Sequence, residues 1–368
     1  MRPDDSIKMN HWLSPFSFFY CLGVRLRNQL FNWGVLPKEQ FDIPVICVGN
    51  LAAGGTGKTP HTEYIINILR KRYRIAVLSR GYKRKTSGFI IADKNSTSHD
   101  IGDEPFQIKM NFPDIIVAVD ANRRRGIKQL LALPEEKRPE IILLDDGFQH
   151  RYVTPSFNII LTDYNRLFYD DKLLPVGLLR EPIQAIRHAD IVVVTKCKYD
   201  LKPIEYRIIE GHMNLLAHQE VFFTRYTYKE LKPVFPSIAL PRVKRDIRKN
   251  DDVLIISGIA NPSDFIQEIK KYSSKVQAIT FSDHHDFTEK DIEKINIIFS
   301  QMESPEKLII VTEKDAARLL GNPHIPEEWK SKIHYQPIDI NFHGDKEGLF
   351  KELITKHIET VLRDGILH

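Results

Sequence analysis

From residue 43 onward the chain alternates short aliphatic runs with segments in helical spacing. Ile43–Val48, Ile75–Ser79, Ile115–Val119, Ile141–Leu144, Asn158–Thr162 and Ile191–Thr195 have few polar interruptions. Such runs read as strands buried on both faces. Between them lie helical patterns such as Pro60–Arg72, where Ile65, Ile68 and Leu69 share a face. Strand–helix alternation predicts right-handed crossovers and a mostly parallel sheet. A second series, Val253–Ser257, Val276–Phe281, Leu308–Thr312 and Ile333–Ile340, follows a basic, poorly patterned stretch at 229–250. The fold class expected is therefore α/β. A first domain is expected over 1–225, with a hinge and a smaller α/β domain over 226–368. Phe222–Tyr228 alternates as an extended hinge strand would.

Ahead of the first strand, Trp12–Trp33 reads as an amphipathic helix. Trp12, Phe16, Phe19, Tyr20, Gly23 and Leu30 fall on one face, widened by Phe18, Leu22 and Phe31 and flanked by Arg25 and Arg27. Its apolar stretch is shorter than the ~20 residues a bilayer span requires. The pattern suits a helix lying in a membrane interface, or one packed on its own domain.

Composition narrows the function classes. Apolar residues are 42% and charged residues 27% of 368, a globular balance. Fifty-three Lys and Arg against forty-eight Asp and Glu leave a net charge of +5. That is too weak for a nucleic-acid partner, though it suits an anionic one if the basic groups cluster. The run Arg242–Lys249 is one such cluster, able to meet anionic headgroups or to serve as a solvated linker. Cys21, Cys47 and Cys197 form no CxxC pair, so neither a disulfide framework nor a cysteine metal site is expected. No cleavable signal peptide is apparent.

The strongest chemical signal is Gly54-Gly55-Thr56-Gly57-Lys58-Thr59, between a strand and a helix opened by Pro60. Glycines let backbone N–H groups close on phosphate oxygens, Lys58 reaches the β- and γ-phosphates, and Thr59 offers a hydroxyl to Mg²⁺. The full pattern has a Gly where Ala52 stands, so the loop is expected to start along a different path. Ile141–Leu144 ends in Asp145-Asp146, the arrangement that brings a carboxylate to Mg²⁺ across the sheet. Either acid is a candidate for direct coordination. After a later strand Thr195-Lys196-Cys197 begins like a guanine-recognition motif, but Lys198 stands where the Asp belongs, which disfavours GTP. Gly102-Asp103-Glu104-Pro105 places two carboxylates in a turn, either of which could orient a hydroxyl and take its proton or act beside a metal.

These motifs in this order resemble the tetraacyldisaccharide 4′-kinase family. The resemblance rests on Val48–Pro60, SRGY at Ser79–Tyr82, GDEP at Gly102–Pro105, ANR at Ala121–Arg123, DDGFQHR at Asp145–Arg151, GLLREP at Gly177–Pro182, TK at Thr195–Lys196 and SDHH at Ser282–His285. It covers nearly the whole chain and departs at Lys83, where the family pattern usually has Gly.

The resemblance implies ATP and Mg²⁺ as co-substrate and metal, and phosphorylation of the 4′-hydroxyl of an acylated disaccharide 1-phosphate. It also implies peripheral attachment at the cytoplasmic face of the inner membrane, without an obligatory protein partner. It makes Asp103 the preferred base, with His284 as its partner ahead of His285, and assigns Glu104 to the metal with Thr59, Asp145 and Asp146. Arg123 and Arg180 are the expected cationic groups at the transferred phosphoryl, and Arg80, Gln149 and His150 the expected substrate contacts. Two rivals remain: a P-loop kinase of a soluble sugar or metabolite, and a membrane-docked switch driven by ATP hydrolysis.

Overall fold

A computed structural model describes residues 9–239, 241–244, 247–304 and 306–366. Its strands are β1 (Val45–Asn50), β2 (Ile75–Ser79), β3 (Ile90–Ile91), β4 (Ile116–Val119), β5 (Ile141–Asp145), β6 (Phe157–Asp163), β7 (Ile191–Thr195), β8 (Glu220–Tyr228), β9 (Lys232–Pro233), β10 (Asp252–Ser257), β11 (Lys275–Thr280), β12 (Lys307–Thr312), β13 (Ile333–Gln336) and β14 (Ile338–Phe342). Its helices are α1 (Ser14–Asn32), α2 (Lys58–Leu69), α3 (Ser98–Ile101), α4 (Asp103–Asn111), α5 (Arg123–Leu131), α6 (Pro203–Met213), α7 (Ser263–Lys270), α8 (Glu289–Ser300), α9 (Glu313–Leu320) and α10 (Glu347–Ile366).

Two sheets organise these elements. The larger has the order β14-β8-β7-β6-β1-β5-β2-β4-β3, and the smaller β11-β10-β12-β13-β9. Pairing is parallel throughout except at the edges, where β3, β14 and β9 run antiparallel to their neighbours. The β-branched and leucine runs of β1, β2, β5 and β7 are buried along their whole length, as strands covered on both faces must be. β5 lies directly beside β1, with Val48 opposite Asp145. Their carboxyl ends therefore open into one crevice, the usual location of a ligand in such sheets.

The hinge strand expected over Phe222–Tyr228 is β8. The expected division at residue 225, however, is crossed twice. Ile333–Ile340 is not one strand: β13 belongs to the smaller sheet, β14 pairs with β8, and Pro337 separates them. Pro337 has no N–H to continue a ladder. Its carbonyl instead accepts from the Lys229 amide at 3.0 Å, which draws the outgoing and returning chains together. α10 then packs Phe350, Ile354 and Ile358 into the core of the larger sheet with Ile65, Ile66 and Phe222. The smaller sheet is thus inserted between β8 and β14, and 338–366 belongs with the first domain.

Helix α1 confirms the amphipathic pattern but divides its face differently. Val24 and Phe31 are buried, the Tyr20 hydroxyl donates to the Arg180 carbonyl at 3.1 Å, and Arg27 pairs with Glu181. Trp12, Phe16, Phe18, Phe19, Leu22 and Leu26 are left exposed. Arg27 therefore faces the protein rather than flanking an interface, because the nearly buried Glu181 needs its charge. Among the described residues no helix is long and apolar enough to cross a membrane. In the basic run, Lys244 is buried against Glu268 and Arg242 pairs with Glu306, so these two serve their own domain. Arg245 and Asp246 lie outside the described residues.

Candidate active site

The phosphate loop leaves β1 through Ala52, which bridges Leu179, while the Ala53 amide donates to the Leu178 carbonyl at 2.7 Å. That pairing gives the loop its different start and ties it to the GLLREP segment. Gly57 caps α2 with φ +88, and a Cβ there would run into the Tyr226 hydroxyl, so only glycine fits. The loop is braced from β7, where the Thr195 hydroxyl donates to the Thr56 carbonyl at 2.9 Å. Lys196 donates to the Gly55 carbonyl at 2.5 Å and pairs with Asp163 at 2.6 Å. The TK motif thus supports the loop's shape rather than reading a base.

Asn50, at the end of β1, was not expected to matter. Its amide donates to the Thr56 hydroxyl at 2.8 Å and its carbonyl oxygen accepts from Arg180 at 2.6 Å. Arg180 also pairs with Asp146 at 3.0 Å, and Lys58 lies 3.6 Å from the same carboxylate. Burial would raise the Asp146 carboxyl, but Lys58 and Arg180 outweigh it and hold the group below its ordinary range. Asp145 behaves oppositely: burial, then the charges of Glu104 and Asp146, push it upward. Its Oδ2 is buried without a hydrogen-bond partner. Asp146 adopts φ +51, a left-handed conformation that turns it away from the line of β5.

Gly102, with φ +92, passes so close to Gly81 and Tyr82 that no Cβ would fit. It starts α4, placing Asp103 and Glu104 in the first turn, where the helix dipole favours carboxylates. Facing them from the inserted domain is α9, capped by Thr312. Asp103 Oδ2 lies 3.2 Å from His284 Nδ1, and the same oxygen accepts from Arg318 Nε at 2.9 Å and lies 2.8 Å from Arg318 Nη2. Burial works to raise the Asp103 carboxyl, but His284, Arg318 and Lys314 outweigh it and bring it down to about 2. Glu104 meets Lys314 at 3.5 Å. His284 takes φ +59, while His285 turns into its own domain, stacking on Phe281 and bonding Asp291 at 2.9 Å.

The remaining expected residues separate. Arg123 is buried, donates to the Asp120 carbonyl at 2.6 Å and has no partner at Nε. His150 lies beside it, lowered to about 4 by burial and then by Arg123, Arg124 and Arg80. Its Nε2 is also buried without a partner. Arg80 is exposed at the rim. Gln149 donates to the Asn50 carbonyl at 2.6 Å, which secures the loop after β5 to the end of β1. A cleft of about 500 Å³ opens between α1 and that loop, lined by Arg25, Asn28, Lys38, Phe148, Arg151 and His188 among others. Among the described residues no three acidic, His or Cys side chains are preassembled as a metal cage. Lys314 and Arg318 were not expected; their i, i+4 spacing on one helix after a strand ending in Thr312 was the available signal.

A phosphate loop at the central strand, paired acids at the neighbouring strand end, and a carboxylate–imidazole pair closing from a second domain define a P-loop phosphotransferase. The sequence profile of tetraacyldisaccharide-1-P 4′-kinases matches residues 9–359, and the chain belongs to that family. It is 56% identical to the tetraacyldisaccharide 4′-kinase of Parabacteroides distasonis, covering 99% of both chains. It is 45% identical to that of Bacteroides thetaiotaomicron, over 98% of this chain and 96% of the relative. Among solved structures it resembles the "apo" form of LpxK from Aquifex aeolicus in complex with ATP. There the TM-score is 0.73 and the identity 28%, over 95% of this chain and 99% of that one.

Proposed function

We propose that this kinase transfers the γ-phosphoryl group of ATP to the 4′-hydroxyl of an acylated glucosamine disaccharide 1-phosphate at a membrane surface. The observation carrying this reading is the meeting of Asp103 and His284 at 3.2 Å across the two domains, next to Glu104, whose charge reaches Asp145. A sugar hydroxyl is a weak nucleophile, and a carboxylate held next to a nucleotide phosphate site supplies the proton acceptor it needs. The hydroxyl oxygen forms its bond to the γ-phosphorus as its proton passes to Asp103. The bond to the β,γ-bridging oxygen breaks, and ADP leaves with that oxygen's electron pair. In this reading Lys58 meets the β- and γ-phosphates, and Arg180 and Arg123, whose charges act on Asp146, balance charge on the transferring group.

Mg²⁺ fits the oxygen donors here: the buried, partnerless Asp145 Oδ2 calls for a cation, Asp146 follows it, and Thr59 offers a hydroxyl from the first turn of α2. Bound with phosphates, it offsets their negative charge. Mg²⁺ commonly takes only one or two protein carboxylates, so the want of a preassembled cage does not count against it. Glu104, adjacent to Asp103, adds a further carboxylate to this group.

The exposed aromatic face of α1 supports peripheral attachment, on the inner membrane's cytoplasmic side where ATP is available. The cleft beneath α1 mixes basic and apolar groups, as a phosphorylated lipid headgroup requires. γ-Labelled ATP, Mg²⁺ and acylated disaccharide 1-phosphate in detergent micelles test the reading. Label at the sugar 4′-position is expected; label appearing only as free phosphate would replace this reading with an ATP-driven switch.

A further inference from the structure

We propose that Lys314 and Arg318 are positioning residues of the transfer reaction, together presenting Asp103 Oδ1 to the acceptor hydroxyl. Lys314 anchors the far nitrogen of the His284 ring that faces Asp103, and Arg318 fixes the carboxylate's rotation. The inference rests on the reading of Asp103 as proton acceptor.

Lys314 Nζ lies 3.0 Å from His284 Nε2. An ammonium group has three donors and no acceptor. Nε2 must therefore offer its lone pair, which leaves the proton of the neutral ring on Nδ1, facing Asp103 Oδ2. The Asp103 carboxylate, which only accepts, asks for the same tautomer, so the two contacts hold the ring between them. The ring itself is held by Tyr82, whose centroid lies 5.4 Å away edge-on, and by Lys83, which donates to the His284 carbonyl at 3.4 Å.

Arg318 fixes the other partner. Its Nε and Nη2 both address Asp103 Oδ2, while Nη1 donates to Asp315 Oδ1 at 2.9 Å and to the Gly258 carbonyl at 3.0 Å. Asp315 is itself secured by the Thr312 hydroxyl at 2.6 Å and the Gly258 amide at 3.0 Å. Oδ2 thus collects Arg318 and His284, and among the described residues no hydrogen bond reaches Oδ1. That oxygen is the one left for a substrate proton. The other charges facing the cluster are Glu104 and Asp283, both near Lys314. Because Asp103 belongs to the first domain and α9 to the inserted one, the acceptor is correctly oriented only when the two are apposed.

A merely structural clip between domains would disturb stability and nucleotide affinity along with turnover, and the test reads these apart. The full-length Lys314→Met protein loses the contact to His284 Nε2. Turnover should fall by roughly 10- to 100-fold, as misplacement of a reacting group does. The KM for ATP should stay within about twofold, since Lys314 does not touch the phosphate loop. Lys314→Arg should recover part of the loss. In ¹⁵N-histidine spectra the His284 Nε2 resonance should shift in Lys314→Met as its donor is lost, while Asp103 keeps the proton on Nδ1. Arg318→Lys, which keeps the charge but loses the fork, should lower kcat without changing that signal. An unmoved Nε2 resonance or undiminished turnover in Lys314→Met overturns this proposal alone, provided Asp103→Asn is inactive. Full turnover in Asp103→Asn overturns the reading of Asp103 as acceptor, and with it the role of both helpers.

Discussion

The Tyr20 hydroxyl donates to the backbone carbonyl of Arg180 at 3.1 Å, so α1 touches the residue whose guanidinium spans Asn50 and Asp146. Next to it Glu181 accepts from Asn28 at 2.9 Å and pairs with Arg27. The helix is thereby fixed to the site through one face and leaves its aromatic face outward. Substituting Glu at Phe18, Phe19 and Leu22 together should abolish flotation with anionic vesicles. Because these positions are exposed, each should change stability by less than about 0.5 kcal/mol. Undiminished flotation of a folded triple variant would remove α1 from membrane attachment.

Asp103 and His284 should behave as one unit. Asp103→Ala is expected to lower kcat by roughly 10²–10⁴, the range of general base catalysis. His284→Ala should cost no more, and the double variant should fall little below the worse single. Losses that multiply would mean that the two groups act separately.

Glu63 on α2 and Glu313 on α9 meet at the domain interface, both addressed by the Asn111 amide, at 3.0 and 2.8 Å. Gln107 also donates to Glu63, and Lys232 and Lys229 face the pair. Burial first, then the charge of Glu313, raises Glu63 from 4.5 to about 8. The folded chain therefore keeps a proton that the unfolded chain releases. The associated stability is complete below the unfolded value of 4.5 and is lost as pH rises through about 8. Glu63→Gln should flatten the fall of thermal stability over that window and raise Tm most at its upper end. A slope identical to the parent's would show that the pair does not share a retained proton.

Lys83 holds φ +61, where the family pattern usually places glycine. A left-handed conformation costs an L-residue about 1–2 kcal/mol, whereas glycine's extra unfolded-state freedom costs about 0.4–1 kcal/mol. The exposed 3.4 Å contact to the His284 carbonyl adds little to the other side. Lys83→Gly should therefore gain up to about 1 kcal/mol in denaturant unfolding. A clear loss of stability would mean that this contact between domains outweighs the strain.

Much of the molecule was determined by the sequence alone. Aliphatic runs such as Ile141–Leu144 can satisfy neither water nor a single sheet face, so they imply a covered parallel sheet. The phosphate loop needs its glycines and lysine contiguous, so local order reveals it. Asp145 and Asp146 were legible for the same reason, as were the GDEP and SDHH motifs through their resemblance to a known family. Only the tertiary structure decided which of those groups meet. Asp103 and Arg318 are joined by the apposition of two domains, and no spacing rule relates them. The choice between His284 and His285 depended on one φ angle and on the stacking of His285 upon Phe281. Likewise, Ile333–Ile340 looks like one strand because apolar alternation is local, whereas the sheet that captures each half is set by distant partners. The return of α10 to the first core follows from that split. Side-chain periodicity records which face is buried; it carries no record of what buries it.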